Sequence, residues 1–238
     1  MTRPIIFRLT DKNGRTKSFR YTEQMNEKEY EEYAIHLDEN HKLYFDTWWK
    51  WESKKALPLL HLRQSTIAWL AGHVPITPTS LGPPGRETDL IMSQLNELNA
   101  IGMLTDDSQP GLFEKHRKQR AYLSGYLPKE LADEFMDRMN SESGIICFIP
   151  VPVSSTAHPV PGISVTYSIR GNSFAAFTYN LPYRSRIGFQ QAYKGVASRP
   201  MLDSLAKKVR SIECIDADYG NRSRLFDTAV RIMKRITG

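Results

Sequence analysis

The segment Thr105-Asp106-Asp107-Ser108-Gln109 sets two hydroxyls, two carboxylates and an amide side by side, just ahead of Pro110-Gly111 and Gln119-Arg120. Such a set can accept and donate hydrogen bonds in several directions. An arginine next to Ser, Thr and Gln can also grip a phosphate or carboxylate through two parallel N–H bonds. Thr105, Asp107, Ser108, Gln109, Gln119 and Arg120 are therefore the leading candidates for binding a small polar or anionic, nucleotide-like ligand. Neighbours on a strand point to opposite faces, so one of Gln119 and Arg120 is expected to meet the loop directly. The competing account is self-sufficiency. Asp106, Asp107 and Ser108 would brace their own turn, and Arg120 would pair with one of the carboxylates.

Catalytic chemistry has thinner support. Ser108 lacks the Gly-x-Ser-x-Gly elbow that exposes a nucleophile, and the sequence proximity of His116 does not build a triad. Asp107 with Asp216 or Asp218 would make a carboxylate pair if folding brought them together. Whether the chain is an enzyme stays undecided at this stage. No phosphate-binding Walker loop or dinucleotide fingerprint occurs, and Gly82-Pro-Pro-Gly85 is neither. No Cys and His residues share zinc-ligand spacing. No cofactor or metal is expected.

Two other stretches suit macromolecular partners. Tyr183 to Lys194, continuing to Arg199, mixes bases and aromatics without an acid; Arg184, Arg186, Lys194 and Arg199 are its nucleic-acid candidates. The net charge of +6 permits an anionic partner without requiring one. A solvated basic face is the favoured account, because Asp218 and Asp227 interrupt the basic C-terminal end. Trp48, Trp49 and Trp51 form a dense aromatic patch. It reads first as packing or as a dock for a protein partner, as in a viral auxiliary or particle component, and second as a base-stacking platform.

The elements that must position these residues follow from periodicity. Residues 4–22 read as a β-hairpin around Asn13-Gly14, followed by a short helix over 26–36. Helices are expected over 59–72, 87–101, 128–140, 201–209 and 223–236, from apolar residues at three- and four-residue steps. Gly72 and Gly102 are expected to stop the first two. Residues 74–86 hold four prolines and two glycines and can only be a connection. Strands are expected over 119–127, 145–153 and 212–215, with a second hairpin around Arg170-Gly-Asn-Ser. Residues 105–111 read as a turn-rich loop. The strand-helix-strand order of 119–153 would make its two strands parallel if they share a sheet.

The resulting fold is α/β to α+β: a central mixed sheet of about five strands with helices packed on it. Residues 1–44 form an N-terminal hairpin and helix extension, and 45–238 the main domain. Cys147 and Cys214 sit in apolar runs and read as buried free thiols; a disulfide stays open if their strands share a sheet. No signal sequence opens the chain, and no apolar run approaches the roughly 20 residues of a membrane span. Cytoplasm, nucleus or a particle assembled there is the expected location.

Several blocks occur together and in order: Glu87-Thr88, Asn99-Ala-Ile-Gly102, Thr105-Asp-Asp-Ser-Gln-Pro-Gly111, then Gln119-Arg-Ala121 with Gly125. With Ile215-Asp-Ala-Asp-Tyr-Gly-Asn-Arg222 they resemble an uncharacterised domain family of actinobacteria and large DNA viruses. Trp51–Gly72 is similar to its opening helix. Ala217 and Tyr219 stand where that family's pattern has proline and tryptophan, and Asn221 separates Gly220 from Arg222. The resemblance covers roughly residues 45–235. It adds Asp216 and Arg222 to the ligand-binding candidates and implies no reaction.

Overall fold

β5, Arg117–Pro128, organises the molecule, because strands pair with it along both edges. The structure is a computed structural model that describes residues 5–10, 16–21, 59–72, 77, 79, 84–148, 165–168, 173–174, 189, 193 and 199–238. One edge of β5 carries β3 (Leu104–Gln109) and then β4 (Leu112–Phe113). The other carries β7 (Thr166–Ser168) beside Arg117–Gln119 and the long β9 (Val209–Tyr219) beside Arg120–Pro128. β6 (Ile145–Phe148) pairs with the far side of β9, and β8 (Ser173–Phe174) with β7.

All these pairings are antiparallel, giving the five-strand order β6-β9-β5-β7-β8 with β3 and β4 alongside β5. The two strands flanking the 129–140 helix do run parallel, but β9 lies between them. β1 (Ile5–Thr10) and β2 (Thr16–Tyr21) form the expected N-terminal hairpin as a separate two-stranded sheet. The expected 26–36 helix and the aromatic patch Trp48, Trp49 and Trp51 lie outside the described residues.

Four helices pack on one sheet face. They are α1 (Leu59–Leu70), α2 (Met92–Ile101), α3 (Lys129–Asn140) and α5 (Arg224–Thr237). α4 (Arg199–Ala206) leads into β9. α5 shows why the helical period was readable: Phe226, Ala229, Ile232 and Met233 are buried on one side and Lys234 and Arg235 end it in solvent. They meet Ala121, Leu123 and Leu127 from alternate positions of β5 in one core. Burial of each large apolar side chain there contributes about 1.5–3 kcal/mol. The intervening positions, Tyr122, Ser124 and Tyr126, face the other side, where Val165, Phe189 and Tyr193 pack.

Three differences from the sequence reading have physical causes. The 87–101 helix starts as a 3-10 turn, Arg86–Leu90, and becomes α-helical after Ile91, whose φ of −128° breaks the spiral. Residues 105–109 are strand rather than loop. The free edge of β5 supplies a ladder for them, and a bulge between Thr105 and Asp107 absorbs Asp106. The expected free thiols are a disulfide, because Cys147 and Cys214 face each other across β6 and β9, with Cα atoms 4.1 Å apart. The outward backbone groups of Cys147 are satisfied by one side chain: Asn140 accepts from its N–H and donates to its carbonyl, both at 2.7 Å. That amide caps the sheet edge where no further strand pairs among the described residues.

Candidate functional site

The turn between β3 and β4 is fixed before any ligand is considered. Gln119 is buried and donates to the Pro110 carbonyl at 2.9 Å, while Arg117 donates to the Gln119 amide oxygen at 3.0 Å. Gly111 lies against the end of β9, so close that a β-carbon there would stand 2.4 Å from the Asn221 carbonyl oxygen. Only glycine permits that approach. Behind the strand, Asn99 of α2 accepts from the Thr105 N–H and donates to its hydroxyl at 2.7 Å. Gly102, at φ 143°, lets α2 end in time to feed β3. Asn99, Pro110, Gly111 and Gln119 are therefore architectural.

What this scaffold presents is a cavity of about 220 Å³. Thr105, Asp106, Asp107, Ser108 and Gln109 line it from β3. Thr66 and Trp69 come from α1, Glu87 and Thr88 from the 3-10 turn, and Tyr122 from β5. The proline-rich connection supplies Thr77, Thr79 and Gly85. Four of the predicted ligand residues, Thr105, Asp107, Ser108 and Gln109, thus meet at one hollow.

Their bonding differs. Thr105 is buried and held by Asn99. The Tyr122 hydroxyl donates to Asp107 at 3.1 Å, and the Gln109 amide reaches Glu87 at 3.4 Å. Ser108 and Thr88 also line the cavity, and their side chains form no hydrogen bond among the described residues; neither hydroxyl is sealed from solvent. Burial pushes the nearby Tyr193 phenol well above its ordinary range, and the negative charge of Asp106 adds to the effect.

The other predicted residues are elsewhere. Arg120 lies along β9: its Nε donates to the Ala217 carbonyl at 2.8 Å and its Nη1 to the Tyr219 hydroxyl at 3.1 Å. Its guanidinium also stacks 4.2 Å from the Tyr219 ring centre, so it does not line the cavity. Asp216 is fully buried and accepts from Arg224 Nε at 2.8 Å, from the Asp218 N–H at 2.9 Å and from the Asn221 amide at 3.2 Å. The bond to Asp216, with a smaller part from the Asp218 carboxylate, raises the Arg224 guanidinium further above its ordinary range. Arg222 is exposed and stands apart from the cavity. Arg199 is exposed at the start of α4, while Arg184, Arg186 and Lys194 lie outside the described residues.

The ordered blocks that frame this cavity extend over most of the chain. A model described as a domain of unknown function, DUF6919, matches residues 47–235. The chain belongs to that family. The DUF6919 region takes in both the cavity and the Asp216–Arg224 cluster. A search of curated proteins finds no match.

Sequence reading missed Trp69 and Tyr122 as lining residues, since each sits among core positions of its own element. Glu87 and Thr88 did carry a signal, as the first of the ordered blocks. Among the described residues no three of His, Cys, Asp and Glu come together as a metal group. No described helix is long and apolar enough to cross a membrane.

Proposed function

We propose that this DUF6919 domain binds a small polar ligand in the cavity beside β3. One observation carries the reading: Thr105, Asp107, Ser108 and Gln109 line one hollow together with Thr88, and the Ser108 and Thr88 side chains form no hydrogen bond among the described residues. A hollow lined by hydroxyls and an amide offers hydrogen-bond donors and acceptors to a small polar molecule or to water. The hollow is smaller than the roughly 300–1,000 Å³ typical of drug-sized sites, which favours a compact ligand. The anionic preference expected from Arg120 loses its support, because that guanidinium is committed to β9.

A thermal-shift panel tests the reading. It should contain organic ammonium ions, neutral polyols, inorganic phosphate and nucleotides. A ligand at 100 times its Kd stabilises the fold by about 2.7 kcal/mol. At least one compound should raise the melting temperature of the natural chain, and Ser108→Phe, which fills the hollow, should abolish that rise. A panel that leaves both proteins unmoved would end the proposal.

A further inference from the structure

The turn that joins β4 to β5 carries Lys115 and His116 at its tip, closed by a 2.8 Å hydrogen bond from the Glu114 N–H to the Arg117 carbonyl. Arg117 and Lys118 come next, so four basic residues stand in succession with Glu114 the only acid beside them. Lys115, His116 and Arg117 are exposed, and Lys118 is half-buried. Tertiary packing adds a further cation. Gly220 lies against Phe113 of β4 and Asn221 against Gly111, which brings the chain at exposed Arg222 to the same end of the sheet. Elsewhere Arg138, Arg210, Arg224, Arg231 and Lys234 are paired with carboxylates. Lys115, Arg117, Lys118 and Arg222 form no ion pair among the described residues, and Arg117 donates to the neutral Gln119 amide. On the other edge of β5, β7 pairs with Arg117–Gln119, and the chain that supplies β7 has no Asp or Glu from Ser143 to Leu202. The neighbouring strand therefore brings no carboxylate to the tip.

Among these charges Phe113 is 64 % exposed. Lys118 Nζ stands 4.6 Å from the centre of its ring, and that exposure is what remains with the contact in place. Uncompensated cations attract any polyanion. The open ring narrows the choice, because a base can stack on it while the phosphates on either side meet the cations. Duplex phosphates would use the charges and leave the ring idle. From this juxtaposition we infer that the β4–β5 tip and Arg222 bind single-stranded nucleic acid. None of these residues lines the cavity beside β3, so the two sites stand or fall separately. The tip is also distinct in sequence from the basic stretch 183–199.

Fluorescence anisotropy with labelled oligothymidine and oligouridine tests this on the full chain. Either strand should bind at low salt. The logarithm of affinity should fall with that of salt at a slope of about −3, from about −0.7 for each phosphate met by Lys115, Arg117, Lys118 and Arg222. Lys115→Gln combined with Arg222→Gln, both at exposed positions, should make the slope shallower by about 1.4 without moving the melting temperature. Phe113→Ala should weaken binding about five- to a hundredfold with the slope unchanged, and Phe113→Tyr, which keeps a stacking face, should bind like the natural chain. The glutamine pair decides the matter alone if Phe113→Ala does not fold. Absence of binding to both strands overturns the inference. Equal affinity for a duplex with indifference to Phe113→Ala also overturns it, since charge alone would then be read, and so does equal binding of polyglutamate. Binding that survives the glutamine pair but is lost in Arg184→Gln with Arg186→Gln would place the contact on the 183–199 stretch and remove it from the tip.

Discussion

At the end of β9, Asp216, Asp218, Tyr219, Asn221 and Arg224 bond to one another or to Arg120. Along β3 and its neighbouring 3-10 turn, the acids and amides have partners too, and the difference lies in the hydroxyls. Asn99 fixes Thr105 from behind, while Ser108 and Thr88 line a cavity with side chains that form no hydrogen bond among the described residues. Both regions are dense in polar residues and both belong to the ordered blocks. The contrast teaches that polar density does not mark a site. What separates the two is whether each group has a partner inside the fold.

The sharpest test of that contrast removes a partner from the saturated region. Arg224→Ala leaves the fully buried Asp216 carboxylate without its guanidinium. Breaking such a pair costs about 3–5 kcal/mol, so urea unfolding should show a large fall in midpoint. A small change would mean that the cluster is less tightly closed than its geometry indicates. Asn99→Ala attacks the frame of the cavity instead. It removes the bonds to Thr105 and should cost about 1–3 kcal/mol by the same measurement, with ligand stabilisation lost as well.

Gly111→Ala joins the two regions, because its new methyl would press on Asn221. Overpacking of this kind costs about 1–3 kcal/mol, and thermal denaturation should place it at or below Asn99→Ala. A neutral outcome would show that the β3–β4 turn and the end of β9 are not wedged together. Tyr193 gives a pH signature. Its folded pKa lies well above the unfolded value near 10, so its contribution is fully present below about pH 10 and is lost as pH rises toward the folded pKa. Tyr193→Phe should flatten the loss of stability above pH 10. An unchanged slope would remove the claim that burial and Asp106 hold the phenol neutral. The smallest effects belong to Ser108→Ala and Arg222→Ala, each within about 0.5 kcal/mol in the absence of ligand. Larger losses would show that these side chains have structural partners after all.

Much of the architecture was legible in residue spacing. α3 and α5 follow their apolar periods, and the hairpin signals at Asn13-Gly14 and Arg170-Gly-Asn-Ser correspond to β1–β2 and β7–β8. The misreading of 105–109 is instructive. Asp, Ser, Gln, Pro and Gly favour turns when judged locally, but an unpaired strand edge offers backbone hydrogen bonds that outweigh the local preference. The location of the cavity was also foreshadowed, through Thr105 to Gln109. Two of its acids, Asp106 and Asp107, were foreshadowed with it; its aromatic residues and Glu87 were not, since Trp69, Glu87 and Tyr122 come from three other elements.

The sequence alone determined the periods: which faces of the helices turn inward, where hairpins reverse, and where polar groups concentrate. Tertiary structure alone decided which of those groups were satisfied. Arg120 found β9, Asp216 found Arg224, Cys147 found Cys214, and Ser108 found a hollow. Periodicity is a local property of the backbone and is written in neighbouring residues. A hydrogen bond or disulfide between distant residues depends on strand order and register, which emerge only when the whole sheet has formed.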